Sequence, residues 1–248
     1  MEPLDIQAIA FDVNGTLIDI LTDDAMEEIY RSIRHYLTYQ GIDLARGQVR
    51  DLYFRHMKEQ MYSSAEKYPE YDAIKIWQRI VSDHQSDFTR ALPAEKQRQL
   101  PLFLAELHRG ISRKRLELYP FMFDVLQKLR MKYPLAIVTD AQSVFARAEL
   151  HKVGIVDMFH PIIISGDYGY RKPDARLFRA ATTALAVPPE RTLYVGNDMY
   201  RDIYGARQIG MKTVLYMSEF GDKTYDGTAA DYTISDYREL LKIVGIVD

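Results

Sequence analysis

The chain has no cysteine, so disulfides, thiolate metal ligands and cysteine nucleophiles are all excluded at once. No apolar run approaches the roughly 20 residues that a membrane-spanning helix requires. Charge is not concentrated in one sign either. Lys and Arg number 32 against 35 Asp and Glu, a formal charge of −3. The basic residues are scattered among acids, which is the texture of solvated helix faces and not of a nucleic-acid surface. Met1-Glu2-Pro3-Leu4-Asp5 lacks the positive region of a secretory signal. The expectations are a cytoplasmic protein with no nucleic-acid partner and no membrane, acting on a small molecule. Composition leaves the oligomeric state open.

With 248 residues, 47% hydrophobic and 27% charged, the chain has room for one large domain or for a core with an insert. It is organised around Ala8-Ile9-Ala10-Phe11-Asp12-Val13-Asn14-Gly15-Thr16-Leu17. An apolar run without polar alternation reads as a strand buried on both faces of a parallel sheet. Asn14-Gly15 then forces a turn. Asp12 is thereby placed at the carboxyl end of a central strand, where open α/β sheets hold their ligands; the alternative is a carboxylate that caps the next helix.

From about Thr22 to Arg115 the pattern is helical, with three glycines and no strand-like run. Helices are expected from Thr22 to Gly41, over 46–68 with Val49, Leu52, Tyr53, His56 and Met57 on one face, around Ile74, Trp77 and Val81, and from Pro93 to about His108. Trp77 and His56 read as packing residues. From Tyr119-Pro120 onward, strands and helices alternate. Strands are expected at 135–138, 162–164, 193–195, 212–217 and 232–234. Helices are expected at 121–132, 143–152, 174–185, 203–209 and 237–244. This grammar defines βαβ units and a parallel sheet. The expected architecture is a Rossmann-like α/β core (1–20 and 116–248) with an inserted α-helical cap (21–115). An insert directly after the first strand is expected to work as a lid that excludes water.

Four apolar strands end in polar groups: Asp12, Thr139-Asp140, Ser165-Gly166-Asp167 and Asn197-Asp198. In a parallel sheet these ends share one edge. Lys172, in Gly169-Tyr170-Arg171-Lys172-Pro173-Asp174, follows one of them and is a candidate partner for a phosphoryl group's negative charge.

These segments resemble the haloacid dehalogenase superfamily. Asp12-Val13-Asn14-Gly15-Thr16-Leu17 is similar to its first motif, D-x-D-G-T-L, whose first Asp is a covalent nucleophile. Thr139 matches the hydroxyl of the second motif and Lys172 the lysine of the third. Gly196-Asn197-Asp198-Met199-Tyr200-Arg201-Asp202, with Gly205-Ala206 and Gly210-Met211, resembles the acidic fourth. The resemblance implies Asp12, Asn14, Thr139 and Lys172 as catalytic positions. A hard, all-oxygen Mg²⁺ site would come from Asp12, the backbone carbonyl of Asn14 and Asp198. Thr139 and Lys172 would hold phosphoryl oxygens, and Asp12 would attack phosphorus.

Three positions depart from the pattern. Asn197 stands where the fourth motif usually has Asp, so the metal ligand is Asp198, the preferred choice, or Asp202. Asp140 follows Thr139 where Asn is frequent. Asn14 replaces the second Asp, which in the family protonates the leaving group and then activates water; an amide does neither. The expected function is a Mg²⁺-dependent phosphohydrolase acting on a good leaving group, such as an acyl or aryl phosphate. The alternatives are a 2-haloacid dehalogenase-type hydrolase, whose halide leaves without a proton, and a catalytically weak phospholigand-binding protein.

Overall fold

Ala8–Phe11 forms β1, four residues without an exposed side chain, in the computed structural model, which describes residues 4–246. At Gly15, φ is 77°, a left-handed value that carries no penalty only without a β-carbon. β2 (Ile18–Thr22) follows, then five helices: α1 (Glu27–Tyr39), α2 (Arg46–Ser63), α3 (Ala73–His84), α4 (Asp87–Arg90) and α5 (Ala94–Ser112). β3 (Arg113–Leu118) pairs with β2 in a separate two-stranded sheet. The chain continues through α6 (Met122–Arg130), β4 (Leu135–Thr139), α7 (Ser143–Lys152), β5 (Ile162–Ile164), α8 (Ala175–Leu185) and β6 (Thr192–Gly196). A π-helical turn, Met199–Tyr204, runs into α9 (Gly205–Arg207); β7 (Lys212–Tyr216), β8 (Tyr232–Ile234) and α10 (Tyr237–Ile243) complete the order.

Met1–Ile20 with Leu116–Asp248 forms one compact unit and Leu21–Arg115 the other. The first is built on a six-stranded sheet in the order β5-β4-β1-β6-β7-β8, with every adjacent pair parallel. Successive strand side chains point to opposite faces, and both faces are covered. Ile9 and Phe11 pack with Met122, Val125 and Leu126 of α6 and Leu240 of α10. Ala10, Ala136, Val138 and Tyr194 pack with Leu177, Phe178 and Ala181 of α8. That two-sided burial is why these strands lack polar alternation. The order reverses around β1: β4 and β5 extend to one side of it, and the chain then returns to place β6 on the other. Asp12 and Asn197 therefore end the two strands that flank the topological switch point, where such sheets bind ligands.

In the second unit, α1 packs on α2 and α5, and α3 on α2 and α5. Trp77 is fully buried and stacks near Tyr53, with ring centroids 5.1 Å apart. His56 is buried against Glu59, so both side chains pack as the helical spacing predicts. Two details differ from the sequence pattern. α2 ends at Ser63, short of Tyr68, because Ser64 turns extended and its hydroxyl accepts the Glu66 N–H, a local alternative to helical hydrogen bonding. Arg113–Leu118, four charged residues in six, is a strand whose partner lies 90-odd residues earlier, a pairing invisible to local periodicity. No helix among the described residues is long and apolar enough to cross a membrane.

Candidate active site

Asp12 leaves β1 with its main-chain N–H still donating to the Val195 carbonyl at 2.9 Å. The strand ladder thus extends one residue and fixes the carboxylate at the sheet edge. Asp12 is 5% exposed and Lys172 4%, yet both line a cavity of about 200 Å³ together with Asn14, Asp140, Arg201 and Asp202.

Lys172 is the hub. Its Nζ donates to Asp12 Oδ1 at 2.7 Å and to Asp202 Oδ1 at 2.6 Å. The Val138 carbonyl and the Tyr194 hydroxyl each lie 3.3 Å away. Burial alone would lower the affinity of this ammonium for its proton, but the charges of Asp12 and Asp202 hold its pKa well above the ordinary lysine range. Asp202 is the carboxylate tied most tightly into the frame. Its Oδ2 accepts the N–H groups of Asn197 and Asp198, each at 3.0 Å, and its Oδ1 also faces Tyr194 Oη at 3.2 Å. Burial pushes Asp202 up to about 6, against the pull of Lys172, which still leaves it anionic at neutral pH. Gly196 is required beside it, because a β-carbon there would meet the Asp202 side chain at 2.4 Å.

The second oxygen of Asp12, Oδ2, accepts the Thr16 hydroxyl at 3.0 Å; the same hydroxyl lies 3.2 Å from Asn197 Oδ1. The Asn197 amide is oriented from the other end, where its Nδ2 donates to the Phe220 carbonyl at 2.8 Å and to Ser218 Oγ at 3.3 Å. Its oxygen is thereby presented toward Asp12.

Asp198 is directed elsewhere. Its Oδ1 accepts the N–H groups of Tyr200 and Arg201, capping the π-helical turn, and its Oδ2 takes Arg201 Nε at 3.0 Å, Arg201 Nη2 at 2.9 Å and the Asp222 N–H at 3.2 Å. Burial raises the pKa of this carboxyl, but those N–H groups and the guanidinium outweigh it and hold it below the usual carboxylate range. The Asp198 side chain is consumed in fixing Arg201, which lines the cavity. Thr139 is fully buried with a hydroxyl that has no hydrogen-bond partner. Of the positions singled out in the sequence, Asp12, Asn14, Asp140, Lys172, Asn197 and Asp202 line the cavity; Thr139 and Asp198 do not.

Three contributors carry no obvious sequence signal. Tyr194 sits mid-strand among apolar residues, Arg201 occupies a helical turn, and Thr16 reads as one more residue of the turn after Asp12. Only the three-residue spacing of Asp198 and Arg201 hints at their pairing.

The buried Asp12–Lys172–Asp202 cluster lies at the switch point of a Rossmann-like parallel sheet, the architecture of an α/β ligand-binding or catalytic protein. Residues 9–216 match the haloacid dehalogenase-like hydrolase family, and the chain belongs to it. Glyceraldehyde 3-phosphate phosphatase of Methanopyrus kandleri is 28% identical over 245 residues, 96% of this chain and 97% of that protein. Phosphoserine phosphatase of Thermus thermophilus is 35% identical over 131 residues, 52% of each chain. Among solved structures, 2-haloacid dehalogenase from Pseudomonas syringae shares the fold with a TM-score of 0.68 at 19% identity, over 97% of this chain and 98% of that one.

Proposed function

We propose that the chain is a Mg²⁺-dependent phosphohydrolase that acts on a small phosphorylated metabolite through Asp12 as nucleophile. The observation that carries this reading is the buried Lys172 ammonium bonded to Asp12 in a cavity that a second cation, Arg201, also lines. The phosphatase name of a relative that aligns with 96% of the chain supports the same class.

The charge balance supports the cation. Lys172 is shared by Asp12 and Asp202, and Arg201 is matched by Asp198. Each of the two cations that line the cavity is therefore already matched by protein carboxylates. Among the described residues no three acidic or histidine side chains converge as a metal cage. The all-oxygen set that would hold the ion is Asp12, the main-chain carbonyl of Asn14 and the Asn197 amide oxygen, residues that line one cavity. It suits Mg²⁺, which is held by one or two carboxylates and completes its shell with water and substrate phosphate. When bound, the ion would neutralise phosphoryl charge so that an anionic carboxylate can approach. Thr16 orients Asp12, and Lys172 and Arg201 hold the phosphoryl oxygens. Thr139 lies close behind with an unused donor. Asn14 cannot transfer a proton, so the substrates served without further help are acyl or aryl phosphates.

The test is phosphate release from acetyl phosphate and p-nitrophenyl phosphate with Mg²⁺, with EDTA and with Asp12→Ala. The expected result is release that EDTA and the substitution both abolish. Chloride release from 2-chloropropionate without metal would replace this reading with a dehalogenase. Inactivity in both assays would leave a phospholigand-binding protein.

A further inference from the structure

Asn14 leaves one proton without a source. An alkoxide expelled from phosphorus must be protonated as it departs, and an amide has no acidic proton to give. Asp140 lines the same cavity as Asp12, Asn14 and Lys172, and its two oxygens are unequally used. Oδ1 accepts the Lys172 main-chain N–H at 2.9 Å, which fixes the direction of the carboxyl group. Oδ2 is buried and has no hydrogen-bond partner. An ionised carboxylate oxygen buried without a donor is strongly unfavourable, whereas a carboxylic acid protonated on Oδ2 carries no such charge. Burial is the largest influence on Asp140 and raises its pKa. The Asp12 charge acts in the same sense; the Lys172 ammonium, the Lys172 N–H and the Arg201 guanidinium oppose it.

We propose that Asp140 is the general acid–base of this site, with Oδ2 as the atom that gives and regains the proton. The proposal rests on the phosphohydrolase reading and deepens it, since it extends the substrates to alkyl phosphates. In the first half-reaction an Asp12 oxygen bonds to phosphorus, the bond from phosphorus to the ester oxygen breaks, and that oxygen takes the Asp140 proton. An alcohol leaves; aspartyl phosphate and an Asp140 carboxylate remain. In the second, the oxygen of a water molecule bonds to phosphorus while Asp140 accepts its proton, and the bond from Asp12 to phosphorus breaks. Inorganic phosphate leaves, and both acids return to their starting states. Water is the only co-reactant.

A purely structural Asp140 would act through Oδ1 alone, by orienting the backbone of Lys172. Asp140→Asn separates the two roles, because the amide keeps an oxygen for that hydrogen bond and loses the transferable proton. The variant and the wild type are compared with Mg²⁺ on p-nitrophenyl phosphate, whose leaving group needs no proton, and on alkyl phosphates such as glycerol 2-phosphate and phosphoserine. The expected result in single-turnover experiments is a loss of about 10²–10⁴ in the rate of alcohol release from the alkyl phosphates, with less than a tenfold loss in the rate of p-nitrophenol release, while the hydrolysis of aspartyl phosphate that both substrates share slows equally. The basic limb of the wild-type pH profile for the alkyl esters, where the acid form disappears, should also vanish. Asn14→Asp added to Asp140→Asn should restore alkyl turnover at least tenfold, because it supplies a second carboxyl group to the same cavity. Equal losses in the rate of leaving-group release from both substrate types, or an unchanged pH profile, overturn the role of Asp140 and leave the phosphohydrolase intact. Phosphate release from neither substrate by the wild type overturns both.

Discussion

Replacing Lys172 with Met leaves two carboxylates facing each other in the interior with no cation between them. The ammonium bonds Asp12 at 2.7 Å and Asp202 at 2.6 Å, and all three side chains are almost completely buried. Met fills nearly the same volume, so the loss is electrostatic and leaves no cavity. Removing one partner of a buried ion pair costs about 3–5 kcal/mol, because the abandoned charge keeps its desolvation penalty. Here two charges are abandoned. Carboxylates at such short separation repel by about 3 kcal/mol at an effective dielectric of about 20. The neighbours absorb part of this: Asp202 keeps two backbone N–H groups, and Tyr194 keeps its hydrogen bond to the Val138 carbonyl at 2.9 Å. A net loss of about 3–5 kcal/mol corresponds to a fall in Tm of roughly 6–20 °C for a chain of this size. Thermal and urea unfolding of Lys172→Met at pH 7 measure it. The deficit should shrink on acidification, since a carboxylate left without its cation takes up a proton more readily in the folded state than in the unfolded one. Lys172→Met with Asp202→Asn should recover part of the loss. A single variant within 1 kcal/mol of wild type at pH 7, or a deficit that grows in acid, would refute the buried relay.

The remaining predictions concern the turn and the fourth-motif loop. Gly15→Ala puts a β-carbon at φ 77° and 2.5 Å from Asn197 Nδ2; differential unfolding should show a loss of at least about 1–2 kcal/mol, and wild-type stability would show that the turn is not fixed. Asp198→Asn keeps an oxygen for the Tyr200 and Arg201 N–H groups but breaks the charge pair with the half-exposed Arg201 guanidinium. After solvent screening this is worth about 1 kcal/mol at pH 7. Because the Asp198 pKa lies below its unfolded value, that contribution is present above about pH 4 and is lost as pH falls through the folded value. Wild type and variant should therefore converge in acid. Asn197→Asp adds a second carboxylate beside Asp12: calorimetry should show tighter Mg²⁺ binding, by about tenfold, while the metal-free variant unfolds at a lower temperature. Unchanged Mg²⁺ affinity would remove Asn197 from the donor set.

The core strands were legible because burial on both faces writes itself as unbroken apolar runs; 135–138 and 193–195 fall within β4 and β6, whose residues are all buried. The same signal placed Asp12, Thr139 and Asn197 at strand ends, and hence at one edge of the sheet. What stayed hidden was side-chain direction. Asp198 and Asp202 are four residues apart on one loop. Which of them faces Asp12 is decided by a π-helical turn that aims Asp202 at Lys172 and leaves Asp198 to cap the turn and bind Arg201. Nothing in one-dimensional spacing distinguishes that turn from an ordinary helix, because both present the same residues at nearly the same intervals. The β2–β3 pairing was hidden for a different reason, since its two halves are separated by the entire helical unit.

Two amides at positions where acids are expected, Asn14 and Asn197, have a common electrostatic consequence. Each removes a negative charge from the neighbourhood of Asp12, whose only directly bonded cation, Lys172, is already shared with Asp202. With acids at both positions, the metal-free cavity would hold four carboxylates around one ammonium and depend on a bound cation for its stability. With amides, Asp12 is balanced by Lys172 and the Thr16 hydroxyl, so the carboxylate is held in place without a bound cation. The exchange leaves proton transfer unassigned, and burial raises the pKa of Asp140, which lines the same cavity. On the proposed reading, metal affinity and proton transfer by Asp140 are separable consequences of this one charge arrangement. Asn197→Asp should change only the first and Asp140→Asn only the second, and a variant that moves both would show that the two are not independent.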